Sequence, residues 1–219
     1  MTRLPRSFAL WLVGTASVLV ASAPATATVM PRMSLRDLVG AAQRIFIGTA
    51  VSAESRWTED GRFIVTDTVV RIDQALDGHA GVGTVVMREL GGSVEGIGMR
   101  VAGSTELPPG QQLLLFAQGA GAGRLRVVGM RQGAYLLTRD ASGRRVAQRT
   151  LDGLTLSAPP PAATATTSAV RASTLATATS ASGALLLDAL VAQVRETVSA
   201  CARTTDRCRP TWARPAATE

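Results

Sequence analysis

The sequence predicts a mostly β fold: a small barrel preceded by a short helix and followed, beyond a linker, by a second helix. Three observations carry this expectation. Short apolar runs rich in Val, Ile and Thr recur between glycine-containing turns, the pattern of strands in a closed or sandwiched sheet. One run, Leu113-Leu114-Leu115-Phe116-Ala117, is apolar without alternation, which marks a strand covered on both faces. Helical spacing appears at only two places, after Ser34 and after Leu185.

The chain opens on Arg3 and Arg6, an apolar stretch from Phe8 to Val20, and two A-x-A sites, Ala21-Ser22-Ala23 and Ala25-Thr26-Ala27. This is the grammar of a cleavable secretory signal peptide over residues 1–27. Export to a periplasm or to the medium follows as the expectation. The apolar stretch is interrupted by Gly14, Thr15 and Ser17 and is short for a membrane span, so no transmembrane segment is expected after cleavage.

The barrel is expected over residues 28–156. Ser34 and Asp37 have the spacing of a capping box, and Leu35, Leu38, Val39 and Ala42 then share one helical face. Ile45 to Val51 reads as the first strand. Thr58-Glu59-Asp60-Gly61 is a turn, and Phe63 to Ile72 a second strand paired with the first as a hairpin. Ala75-Leu76-Asp77-Gly78 closes that strand.

Gly83 to Leu90 gives a third strand, in which Val85, Met87 and Glu89 alternate with Val86, Arg88 and Leu90, so that one face is wetter. Residues 91–98, with four glycines, read as a loop or irregular edge, followed by a short strand at Met99 to Val101. Leu107-Pro108-Pro109-Gly110 turns the chain into the central run at 113–117. Leu125 to Met130, Ala134 to Thr138 and Val146 to Arg149 read as further strands, the last two joined at Ala141-Ser142-Gly143.

Residues 157–183 are nearly all Ala, Thr, Ser and Pro. They offer too little apolar surface to offset ordering entropy and read as a disordered linker. Leu186, Leu187, Leu190, Val191, Val194 and Val198 then recur at helical spacing over residues 184–200, a face suited to packing on the barrel or, alternatively, to docking on a partner or a membrane surface. In the tail, 201–219, Cys201 and Cys208 are the only cysteines. In an oxidising compartment they are expected to bridge each other.

Composition excludes several chemistries. The formal charge is +7 and every basic residue is arginine. These arginines are scattered singly rather than gathered on one element with aromatics, so no nucleic-acid partner is expected. A basic exported chain is better matched to a protein or an anionic envelope component.

The single histidine, His79, sits in a turn with only Asp77 near in sequence, which argues against a hydrolytic triad and against a metal site. Glu59 and Asp60 are adjacent carboxylates in a turn that selects such residues for its own geometry. Residues 91–98 lack the lysine and hydroxyl of a phosphate loop, and Ser104 lacks a nucleophile-elbow context. No enzyme activity, cofactor or metal is expected.

From Leu35 to Thr138 the order of elements resembles the netrin-like modules with an OB-type barrel. The resemblance rests on the leading helix, the Ile45-Phe46-Ile47-Gly48 strand, the hairpin, Ala75-Leu76-Asp77-Gly78, and the proline-glycine turn into Leu113 to Phe116. The stretch Val127-Val128-Gly129-Met130-Arg131-Gln132-Gly133 also looks like uncharacterised exported bacterial proteins. The netrin-like resemblance implies a small barrel that binds proteins or matrix and, in one branch, inhibits metalloproteases. That branch needs an N-terminal cysteine and several disulfides, which this chain lacks near Thr28.

The function expected is therefore an exported, non-enzymatic binding module for a protein or cell-envelope component, acting through Trp57, Glu95 and Arg100 on the loops and edges around residues 57 and 91–104. An accessory or inhibitor of an exported protease is the alternative, and an unrecognised hydrolase the third reading.

Overall fold

The computed structural model describes residues 28–79, 83–157 and 184–203. The signal segment, nearly all of the linker, and Cys208 with its expected bridge lie outside the described residues.

The capping box forms as its spacing dictates. The Asp37 N–H donates to Ser34 Oγ at 3.2 Å, and the Ser34 N–H donates to the Asp37 carboxylate at 2.9 Å. The helix it starts, α1 (Leu35–Ala41), buries Leu38 and Val39.

The fold is mostly β, and its centre is a closed five-stranded barrel. β2 (Arg44–Trp57) pairs antiparallel with β3 (Ile64–Ala75), and β3 with β4 (Gly83–Leu90). On its other side β2 pairs antiparallel with β7 (Gln112–Gly119), which in turn pairs with β8 (Leu125–Val127). β8 meets β4 in parallel through a single bridge, Met87 to Leu125, and this closes the ring.

Beyond β7 the sheet continues through β9 (Ala134–Arg139), β10 (Arg145–Gln148) and the short β12 (Leu185–Leu186). Strand alternation sorts the apolar residues into two cores. Phe46, Val70, Ile72, Met87, Leu113 and Leu115 fill the barrel. Ile45, Ile47, Leu114 and Phe116 face the other way, beneath Leu38 of α1 and Leu187, Leu190 and Val194 of α2 (Leu187–Ala202). The run at 113–117 is apolar throughout because both faces of β7 are covered, and the C-terminal helix packs on the sheet and against α1.

Two expectations are corrected, and one pairing was not anticipated. Residues 91–98 are not an irregular loop followed by a strand at 99–101. They form a tight hairpin, β5 (Gly92–Val94) with β6 (Ile97–Met99). Its two-residue turn puts Glu95 and Gly96 at φ 50° and 81°, the left-handed pair that suits the twist of a hairpin. The strand begun at Leu125 ends at Val127, because Gly129 and Met130 take positive φ and lead into a short 3-10 turn. Finally, β1 (Thr28–Pro31) and β11 (Leu154–Ser157) form an unexpected parallel pair, each too short to show a period.

A cavity at the mouth of the barrel

Inward positions change character along the strands. On β3 the inward residues run from Ile72 and Val70 to Thr68 and Thr66, and on β4 from Met87 to Glu89. The apolar filling therefore stops short of one end. There a cavity of about 490 Å³ opens, bounded by the ends of β3 and β4, the β5–β6 hairpin and the segment 100–108. That volume lies within the range of small-molecule sites.

The rim is fixed by hydrogen bonds rather than left loose. Gly91 and Gly92 take φ of 108° and 131° and turn the chain back over the barrel end. A Cβ at Gly92 would overlap the hydroxyls of Ser55 and Thr66, so only glycine fits that approach. Ser104 Oγ donates to the Leu90 carbonyl at 2.6 Å, and Arg131 Nε donates to the Ser104 carbonyl at 2.8 Å. Thr28 Oγ1 donates to the Ala102 carbonyl at 2.7 Å. The Gly110 N–H and the Gln111 carbonyl clasp Ala50 at the bulge of β2. The mouth is largely preformed.

Two polar groups in the cavity stand out. Glu89 Oε1 accepts the Val127 N–H at 2.7 Å, a side-chain link across the seam where β4 and β8 share one bridge. Burial pushes the Glu89 carboxyl up to about 7, against the opposing pull of the Val127 N–H and the Arg126 charge. Thr105 is only 7% exposed, and its Oγ1 has no hydrogen-bond partner among the described residues. A buried hydroxyl left unpaired costs about 1–3 kcal/mol.

Glu89 is exceptional among the half-buried carboxylates that are described. Asp67, on the outer face of β3, takes Arg56, Arg88 and Arg124 at 2.8, 2.6 and 3.3 Å. Asp77 takes Arg44, Asp73 takes Arg71 and Asp140 takes Arg144. Asp37 is occupied by the helix cap. Among these half-buried carboxylates, Glu89 has neither an ion pair with a described residue nor a helix to cap.

Of the residues expected to bind, Arg100 does line the cavity, as an exposed rim residue 4.0 Å from Glu106. Glu95 sits at the tip of the β5–β6 hairpin and Trp57 at the far end of β2 opposite Ile64, neither of them a lining residue. Trp57 is 40% exposed. His79 is a solvated turn residue beside Asp77, and Ser104 spends its hydroxyl on the Leu90 carbonyl.

Sequence reasoning missed Glu89, Thr68 and Thr105. A signal was present for the first: its carboxyl falls in phase with Val85 and Met87, and so on the inward face, rather than with Arg88. The chain matches no protein-family model, and no curated protein and no solved structure is significantly similar to it.

Proposed function

We propose that the chain is an exported, non-enzymatic binding module whose ligand enters the mouth of the barrel. The observation that carries this reading is the preformed cavity with the Glu89 carboxyl, which has one backbone N–H and no ion pair among the described residues, in its wall. Folded proteins seldom bury a carboxyl without pairing it. A closed five-stranded barrel flanked by two helices is also the kind of scaffold on which OB-type and netrin-like modules present loops to ligands. The occupant is then a small envelope component or the projecting side chain or chain end of a protein partner.

Amide chemical shifts of the purified protein, followed through a screen of small polar and amphiphilic compounds, test this. Hits should move residues 89–108 and leave the α1–α2 face unchanged. Gly98→Trp should abolish them, because Gly98 lines the cavity and a Cβ there meets nothing within 4 Å. Hits that map elsewhere, or survive Gly98→Trp, would refute the mouth as the site.

One observation favours a hydrolase as second reading. Glu89 and Glu106 line one cavity, and Glu89, near 7, could hold the proton of a general acid. Turnover lost in both Glu89→Gln and Glu106→Gln would support it.

A further inference from the structure

We infer that the mouth cavity takes an organic ammonium group carried on an apolar body, with the cation set against the Glu89 carboxylate. The inference rests on the binding-module reading and names its ligand class.

The argument begins from what Glu89 lacks. Each of the other half-buried carboxylates has an arginine or a helix cap, whereas Glu89 has one backbone N–H on one oxygen. A carboxyl held in a largely apolar pocket with one oxygen uncommitted has the geometry of half an ion pair. A cation from outside would complete it once the carboxyl is ionised. The surrounding groups do not supply it: β2 and β3 present Ala53, Thr66 and Thr68 to the cavity. The Arg126 charge on β8 favours the ionised carboxyl but forms no ion pair with it. At the rim, Glu106 lies 4.0 Å from Arg100 and 3.7 Å from Arg131, so its charge is already balanced.

The apolar part of the ligand follows from Leu90, Met99, Val101 and Leu107, which line the same space. An alkylammonium of about six carbons fills part of such a volume while its head reaches the carboxylate. Hydroxyl and ammonium ligands are told apart by proton linkage. An ammonium ion needs Glu89 ionised, so its affinity rises with pH until the carboxyl, near 7, has lost its proton. A neutral alcohol does not.

The test is titration of the purified protein with n-hexylammonium and, separately, n-hexanol at pH 5.5 and pH 8.5, followed by amide shifts. The expected result is hexylammonium binding at residues 89–108 that tightens roughly 30-fold between the two pH values. Hexanol should bind more weakly and without pH dependence. Glu89→Gln, which keeps an acceptor for the Val127 N–H, should remove the pH dependence and the preference for the amine. Because the wild-type pH dependence decides by itself, the test stands even if that variant does not fold.

Equal, pH-independent binding of both probes in the cavity would overturn the ammonium inference and leave the binding module standing. Failure of hexylammonium to bind at either pH would overturn it too, while the compound screen would still decide whether the cavity binds anything.

Discussion

The two ends of the barrel are made from the same strands and differ in what their inward positions carry. At the packed end Phe46, Val70, Ile72 and Leu115 are nearly inaccessible and interdigitate. At the mouth the same strands offer Thr66, Thr68 and Glu89, and the chain covers them with a glycine hairpin and a pinned loop instead of more side chains. One end is built to be stable. The other gives up apolar filling and keeps a cavity with a few polar groups in a largely apolar lining.

The largest expected effect lies at the packed end. Phe46→Ala should cost about 3–5 kcal/mol, because truncating a buried aromatic leaves a cavity the strands cannot close. Denaturant unfolding measures it. A cost of under about 1 kcal/mol would mean that this end is as loosely filled as the mouth.

Next comes the pH dependence of the mouth. Between pH 4.5 and about 7 the folded state holds a proton on Glu89 that the unfolded state has lost. Stability from this group is therefore full below 4.5 and declines as pH rises through 7, by up to about 3 kcal/mol. Glu89→Gln should remove this decline, raising the melting temperature at pH 8 and leaving it little changed at pH 4. Asp77 behaves oppositely. Burial raises its pKa, but the Ile45 N–H, Arg44 and the His79 N–H outweigh that and hold it below the usual carboxylate value. Its contribution is present above 3.8 and lost on acidification.

On the outer wall, Asp67→Ala would leave three arginines facing one another and should cost about 1–2 kcal/mol, less at high salt. Thermal unfolding at two salt concentrations checks the effect. At the mouth, Thr105→Val should be neutral or stabilising by about 1 kcal/mol, since it removes a hydroxyl that the fold leaves unpaired. The smallest effect is expected of Trp57→Ala. It should stay within about 0.5 kcal/mol in stability and leave binding at the mouth unchanged, because the side chain stands outside the cavity.

The packed end was the legible one. Runs such as 113–117, the capping box at Ser34 and the helical spacing after Leu185 each carry a local period or a fixed offset, and the structure places them as read. The mouth was less legible because its parts are brought together by closure of the ring. Glu89 meets Val127 across a seam of one backbone bridge, and Thr105 reaches the same space through a loop without period. The hairpin at 92–99 was hidden for another reason. Its turn uses Glu95 at positive φ, where the sequence signal normally rests on Asn, Asp or Gly.

The account turns on one carboxyl, Glu89, that the fold half-buries and gives no ion pair among the described residues. A pH titration of the side-chain carboxyl carbon of Glu89 by NMR tests it most directly. A midpoint near 7, falling on addition of an alkylammonium, is the predicted result. A midpoint at the ordinary value near 4.5, unmoved by the amine, would mean that the mouth is solvated surface and not a ligand site.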